Sequence, residues 1–196
     1  RAGGRRRVAL LKLATLIHDN AKPQTRQVSP EGKVSFYGHQ ELGAEVADAI
    51  CRHLRLSRQD AAYVALVVRD HMRPGQLRAA EVVTARAVVR FFRDTGDAGP
   101  DVLLHELADH LATRGPQLQP AHWAAHLAWV ASLLDAYWGL PAERRVPLVR
   151  GSDLIAELGL PPGPQIGELL RAIGEAQAVG EVTSYAEAIV LARGML

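Results

Sequence analysis

Apolar residues recur along this 196-residue chain at intervals of three and four, which is the spacing of one buried face of an α-helix. This pattern predicts helices over residues 8–19, 40–55, 57–71, 78–93, 100–113, 120–138, 152–159, 164–178 and 184–193. Apolar and polar residues alternate instead within residues 27–39, on both sides of a turn at residues 30–33, which predicts one short β-hairpin. The sequence therefore predicts an all-α bundle with a single hairpin.

Capping residues mark where some of these helices begin. Ser57 with Asp60 forms a box-like helix start, and Ser184 with Glu187 forms a capping box at the start of the last helix. Residues 72–76, MRPGQ, contain Pro and Gly and are predicted to break the helical pattern before the next helix begins.

A segment rich in Pro and Arg, residues 139–151, predicts a linker. It would separate a main helical domain over residues 1–138 from a small helical tail over residues 152–196. The turn between Gly159 and Gly167 in this tail has two interpretations. We favour an ordinary tight helix–helix connection; the alternative is a turn of the helix-hairpin-helix type, whose backbone N–H groups bind phosphates.

Composition narrows the class of protein. Apolar residues make up 48% of the chain, which is enough for a sizeable core without disulfides. The single cysteine, Cys51, cannot form an internal disulfide and lies among apolar helix positions, which favours a packing role. No apolar run is long enough to span a membrane and no secretory signal is visible, so we expect a cytoplasmic protein without a membrane partner.

Positive charge is concentrated in two places, although the formal net charge is only +2. One cluster lies within residues 1–7, and the other contains Arg144, Arg145 and Arg150. Such clusters most often form solvated surface, but they also suit contact with the phosphate backbone of a nucleic acid. Arg144 and Arg145 are therefore candidate phosphate- or RNA-binding residues.

Five residues with metal-ligand chemistry stand near helix ends or beside apolar helix positions: His18, Asp19, His39, His71 and Asp109. The helix dipole disfavours a carboxylate at a helix C-terminus by about 0.3–1 kcal/mol, and a bound cation offsets that cost. Imidazole and carboxylate groups together suit Mn, Fe, Co, Ni or Zn, and carboxylates alone suit Mg. The sequence predicts a divalent metal ion as cofactor and leaves its identity open.

Four segments carry a resemblance to a known family: HDNAKPQT, FYGHQELGA, VALVVRDHMRP and LLHELADHLATRG. Together they resemble the HD superfamily of metal-dependent phosphohydrolases. They are most similar to the HD-bearing C-terminal part of bacterial CCA-adding tRNA nucleotidyltransferases and poly(A) polymerases, and residues 147–189 resemble the C-terminal region of those proteins. The resemblance implies an all-α HD-domain bundle and covers nearly the whole chain.

The sequence departs from the HD pattern in two places. Asn20 and Ala21 follow the His-Asp doublet where the family usually has Ile and Gly. The superfamily also supplies a first histidine ligand some tens of residues before the doublet, whereas no histidine precedes His18 here. Either that ligand lies upstream of this sequence or this branch functions without it.

The resemblance implies a role for each candidate ligand. Asp19 is expected to be the central ligand, able to bridge two ions, while His18 and Asp109 complete the coordination. His39 and His71 would contribute to the same ion or to a second one.

The resemblance also implies groups that act on a substrate phosphate. Lys22, one turn beyond the doublet, is the family's motif lysine and would reach the phosphate as a point charge. Arg73 is a second phosphate candidate. His71 would orient the substrate or donate a proton to the leaving oxygen, so Asp19, Lys22 and His71 are the expected catalytic residues.

Other histidines offer weaker alternatives. His122 and His126 are four residues apart on one predicted helix and could share an ion, although the glutamate of a zincin motif is absent. His105 is expected to hydrogen-bond Asp109, four residues later. His110 is predicted to lie at the surface.

The most consistent function is that of a metal-dependent HD-type phosphohydrolase or phosphodiesterase acting on phosphate esters, either nucleotides or RNA ends. One alternative is a non-catalytic tRNA-binding body and tail with a vestigial HD site, and another is a regulatory HD domain that senses a nucleotide. Nucleotidyl transfer in this family requires a D-x-D pair on a β-sheet, and the sequence contains no D-x-D. We therefore expect no nucleotide addition by this chain alone; its oligomeric state stays open.

Overall fold

The computed structural model describes residues 7–80, 82–139 and 146–196. Its α-helices are α1 (Arg7–Ile17), α2 (Lys22–Thr25), α3 (His39–His53), α4 (Arg58–Asp70), α5 (Arg73–Ala79), α6 (Ala85–Thr95), α7 (Gly99–Arg114), α8 (Pro120–Gly139), α9 (Gly151–Leu158), α10 (Pro164–Ala178) and α11 (Tyr185–Arg193). Two single-turn 3-10 helices lie at Gly96–Ala98 and Gly115–Gln117. The predicted all-α fold class is confirmed.

The predicted hairpin is also present. Strand β1 (Gln27–Val28) pairs antiparallel with β2 (Val34–Ser35), and Gln27 lies opposite Ser35. Arg144 and Arg145, together with most of the predicted linker, lie outside the described residues.

The described residues divide into two compact units. The first contains residues 7–80 and 94–130, and the second contains residues 82–93, 131–139 and 146–196. The metal-ligand candidates, from His18 to Asp109, all belong to the first unit. No helix in the described ranges combines the length and apolar character needed to cross a membrane.

The core of the first unit forms where α3 packs along α4 and α1 packs against the same helix. Val64, Val67 and Val68 give α4 a fully buried apolar face at the spacing expected of a helix. Gly43 on α3 allows the close approach, since a Cβ at this position would lie 3.2 Å from a methyl carbon of Val68. Cys51 is fully buried on α3 with a free thiol, as its packing role predicts.

The prediction of one continuous helix over residues 78–93 is wrong. Residues 73–79 form the separate helix α5, and the next helix, α6, begins only at Ala85. Pro74 stands in the first turn of α5, where a missing N–H breaks no intrahelical hydrogen bond, so the proline begins a helix here instead of breaking one.

The second unit has its own apolar core. Its fully or almost fully buried side chains come from the last three helices and include Leu154, Leu169, Ile173 and Ala192. The predicted capping box at the start of α11 is present: the Ser184 hydroxyl accepts from the Glu187 N–H, and the Glu187 carboxylate accepts from the Ser184 N–H. Arg90 and Arg93 both pair with the Glu175 carboxylate, at 3.2 and 2.6 Å.

A polar cluster in the first unit gives a prediction about stability. The Tyr63 hydroxyl donates a hydrogen bond of 2.7 Å to Asp101, which also accepts from the Arg7 guanidinium. Because the Asp101 side chain is only 14% exposed, Tyr63→Phe should lower the free energy of unfolding by about 1.5 kcal/mol. Urea unfolding measures the change. Tyr37→Phe is the matched control, since Tyr37 is 78% exposed and should shift stability by less than about 0.5 kcal/mol; equal effects would contradict the assignment.

Candidate metal centre

The five predicted ligands, which we call the histidine–aspartate centre, converge in the first unit although they come from four parts of the chain. His18 and Asp19 follow the end of α1, His39 begins α3, His71 follows α4, and Asp109 lies on α7. From His18 Nε2 the distances are 3.2 Å to Asp19 Oδ2 and 3.6 Å to Asp109 Oδ1. From Asp19 Oδ1 they are 3.4 Å to His39 Nε2 and 3.8 Å to His71 Nε2.

The three histidines are oriented by the same local hydrogen bond. Each Nδ1 lies beside the carbonyl oxygen of the residue three positions earlier: Thr15 at 2.7 Å for His18, Phe36 at 2.8 Å for His39 and Val68 at 2.6 Å for His71. A carbonyl oxygen only accepts, so each Nδ1 carries the hydrogen and each neutral ring has its lone pair on Nε2. This arrangement orients metal-binding histidines in proteins, because the bound N–H fixes both the tautomer and the ring.

The lone pairs of His39 and His71 face each other. Their Nε2 atoms are 3.2 Å apart, and with both Nδ1 hydrogens held by carbonyls neither ring has a second hydrogen to share while it is neutral. Asp19 Oδ1 lies beside them, buried and without a hydrogen-bond partner among the described residues. Lone pairs and a carboxylate oxygen that meet in a buried space are stabilised by a cation, so these residues fit a divalent metal ion.

Local backbone geometry explains why these residues meet. Helix α1 ends at Ile17, and the Lys22 N–H returns to the Asp19 carbonyl at 3.0 Å, which turns the chain directly after the doublet. Gly38 precedes α3 with φ of 79°, a left-handed conformation that glycine adopts without strain. The glycine in the predicted glycine–histidine turn therefore directs the chain so that His39 enters the centre.

Charge in the centre is asymmetric. Burial disfavours the Asp19 carboxylate, but hydrogen bonds from His18 and Lys22 outweigh burial and hold the pKa of Asp19 well below its usual range. Burial also opposes the His18 imidazolium, but hydrogen bonds to Asp19 and to the Thr15 carbonyl, with the charges of both carboxylates, raise its pKa. The pKa of His71 is lowered, first by burial and then by the neighbouring imidazoles, so its ring is neutral at pH 7.

Comparison with known proteins agrees with this geometry. The family model for the HD domain matches residues 2–115, which include all five residues of the histidine–aspartate centre. The chain belongs to the HD domain family. A second model, tRNA nucleotidyltransferase domain 2, matches residues 117–192 of the same chain.

Three relatives carry related names. The chain is 39% identical over 180 residues to the A-adding tRNA nucleotidyltransferase of Deinococcus radiodurans, which covers 91% of this chain and 40% of that protein. It is 39% identical over 178 residues to the CC-adding tRNA nucleotidyltransferase of Thermus thermophilus, covering 90% of this chain and 38% of that protein. A CC-adding enzyme of Geobacter sulfurreducens is 49% identical over 102 residues, or 52% of this chain and 21% of that protein. The chain thus spans about two fifths of the length of the first two relatives.

The cationic candidates of this HD domain are already paired with carboxylates. The Lys22 ammonium donates to Asp19 Oδ2 at 2.5 Å and lies 5.7 Å from the centre of the Phe36 ring. The Arg73 guanidinium donates to Asp70 at 3.3 Å and to Asp94 at 3.0 Å. A substrate phosphate would therefore compete with an ion pair at either residue.

His105 belongs to the surroundings of the centre, although the sequence gave it another partner. The expected hydrogen bond to Asp109 is not formed; its Nδ1 instead lies 3.1 Å from the Thr15 hydroxyl. Its ring is 1% exposed and lies 4.7 Å, between ring centres, from His18. Thr15 and His105 share a face only because α1 packs against α7, which helical spacing alone does not reveal.

Burial of His105 predicts a pH-dependent stability. Burial, with the charges of His18 and His71, lowers the pKa of His105 to about 3 from an ordinary 6.5. Between these values the unfolded chain binds a proton that the folded chain does not, so stability falls as pH falls from about 6.5. In chelator, His105→Asn should reduce this slope by up to about 1.4 kcal/mol per pH unit in urea unfolding. Exposed His53→Asn is the control, and an unchanged slope in His105→Asn would contradict the prediction.

The i, i+4 pair of His122 and His126 does not form a site by itself. His126 is turned away from His122 towards α7, where its Nε2 lies 2.6 Å from Glu106 Oε2. The His110 ring stacks on it with centres 4.2 Å apart, so the expectation that His110 is a plain surface residue is wrong.

Proposed function

We propose that this HD domain is a divalent-metal-dependent phosphohydrolase or phosphodiesterase acting on phosphate esters, either nucleotides or RNA ends. It would act as part of a tRNA nucleotidyltransferase-like protein. The observation that supports the proposal most directly is the set of three Nε2 lone pairs and two aspartates that share one partly buried space. Water or substrate does not need imidazoles arranged in this way, whereas a cation does.

Five residues would hold the metal: His18, Asp19, His39, His71 and Asp109. Three imidazoles favour Mn, Fe, Co, Ni or Zn over Mg, which prefers oxygen ligands. When bound, such an ion lowers the pKa of a coordinated water and polarises phosphoryl oxygens.

The chain's own residues would position and balance this site. Asp19 is central because its two oxygens face different histidines, His18 on one side and His39 with His71 on the other. Lys22 holds Oδ2 of Asp19 and carries the positive charge nearest to a bound phosphate. The neutral Nε2 of His71 favours a ligand role over proton donation to the leaving oxygen.

A phosphoesterase screen tests this proposal. The chain is assayed with Mn, Ni or Zn on p-nitrophenyl phosphate, bis(p-nitrophenyl) phosphate and a 2′,3′-cyclic nucleotide. We expect turnover that requires added metal and is lost in Asp19→Asn. Turnover equal to that of the Asp19→Asn variant on every substrate would overturn the catalytic proposal.

A second candidate function is that of a tRNA-binding module with a non-catalytic centre. It is supported by the match of residues 117–192 to tRNA nucleotidyltransferase domain 2 and by the printed names of the relatives. In this proposal residues 139–151 link the domain of residues 1–138 to a tail of residues 152–196, and Arg144 and Arg145 contact phosphates.

The RNA proposal has its own test. Replacing Arg144 and Arg145 with glutamine should weaken tRNA binding and reduce the dependence of log K on log salt by up to about two contacts. Replacing the exposed pair Arg52 and Arg55 with glutamine is the control for lost charge alone. Equal losses in both double variants would remove the specific role of Arg144 and Arg145.

A further inference from the structure

A second group of ligand side chains lies in the first unit, where α7 faces the start of α8. We call Glu106, His110 and His126 the Glu106 cluster. One donor atom from each of the three lies within 4.8 Å of the other two. The cluster shares no residue with the histidine–aspartate centre.

The sequence supplies two of these ligands on one helix and the third on another. Glu106 and His110 are four residues apart on α7, so their side chains project from the same face. His126 reaches them from α8. Its i, i+4 neighbour His122 is exposed and lines the pocket beside the cluster.

Burial leaves the polar atoms of the cluster incompletely satisfied. The His126 side chain is 1% exposed, and its Nδ1 is buried without a hydrogen-bond partner among the described residues. The Glu106 side chain is 14% exposed and holds only His126 among its printed hydrogen bonds. A buried carboxylate and an imidazole with one unsatisfied nitrogen carry a desolvation cost that coordination to a cation would offset.

We propose that Glu106, His110 and His126 form a second metal site, for zinc or a similar transition-metal ion. Two imidazoles and one carboxylate are a donor set that zinc uses in sites with an open fourth position. To bind, the ion replaces the hydrogen bond between His126 and Glu106, and the His110 ring turns from stacking to coordination.

The surroundings indicate what the open position would face. Glu106 and His110 line a pocket of about 550 Å³, a size typical of small-molecule sites. Arg78 and Arg114 line the same pocket, and neither guanidinium has a carboxylate within 4.0 Å in the part of the chain that the structure describes. These charges favour an anion, such as a phosphate group, as the fourth ligand.

Zinc stoichiometry tests the site in the full chain. Zinc is titrated into the parent, His110→Ala and His122→Ala, and the zinc retained after desalting is counted by elemental analysis. We expect His110→Ala to lose one equivalent relative to the parent and His122→Ala to retain it. Equal stoichiometry in the parent and His110→Ala would overturn the proposal, as would a loss confined to His122→Ala.

A second variant protects the test against misfolding. Glu106→Gln keeps a side chain of the same shape that still hydrogen-bonds His126, but an amide is a much poorer zinc ligand than a carboxylate. Its unfolding transition should match that of the parent without metal, and it should lose the same single equivalent. A full complement of zinc in Glu106→Gln would overturn the assignment of Glu106 as a ligand and, with it, the site.

Discussion

Replacing Asp19 with asparagine is expected to reduce metal-dependent phosphoesterase turnover at least about 100-fold. Mutation of groups that only support a ligand costs 10–100-fold in affinity or activity, and Asp19 is placed to be a ligand itself. Its two oxygens lie between His18 on one side and His39 on the other, so one substitution affects every imidazole contact in the centre. Initial rates at saturating metal, and again across a metal titration, separate lost affinity from lost turnover.

Asp48→Asn is the matched control for this substitution. It makes the same chemical change on α3 at an exposed carboxylate that pairs with Arg52 at 2.7 Å. An exposed pair of this kind contributes about 0.3–0.5 kcal/mol, so the control should keep its activity and fold. Similar turnover in both variants would mean that Asp19 has no part in the reaction.

Metal binding should also stabilise the first unit. An ion at 100 times its dissociation constant adds about 2.7 kcal/mol to a state that binds it. For a chain of this size we expect Tm to rise by roughly 5–10 °C in Mn, Ni, Co or Zn relative to chelator. Differential scanning fluorimetry with each ion measures the shift.

The stabilisation has a built-in control because two metal sites are proposed. Asp19→Asn should lose the part of the shift that comes from the histidine–aspartate centre, while His110→Ala should lose only the zinc-dependent part from the Glu106 cluster. No shift with any transition-metal ion in the parent would contradict both sites. A full shift in Asp19→Asn would contradict the first.

The residues of the histidine–aspartate centre could be selected from the sequence because their chemistry stands at helix boundaries. His18 and Asp19 follow an apolar helix, and His39 follows a glycine whose positive φ the turn requires. Periodicity locates such boundaries well, and the family motif links boundaries that are far apart in sequence. The i−3 carbonyl bonds that fix all three imidazoles are a consequence of these positions and could not be predicted from residue types alone.

The errors arose where two helices meet or where one residue type has two effects. His105 was given a partner on its own helix, but its bond to Thr15 depends on how α1 packs against α7. His126 was paired with His122 by spacing, whereas Glu106 approaches it from α7. Pro74 was taken to break a helix, although in a first turn it begins one.

The central claim is that the histidine–aspartate centre holds a divalent transition-metal ion. Elemental analysis of the purified chain, after incubation with Mn, Ni or Zn and removal of free ion, tests it most directly. We predict that Asp19→Asn contains about one equivalent less than the parent, while Asp48→Asn contains the same amount as the parent. Equal metal content in the parent and Asp19→Asn with all three ions would contradict the claim.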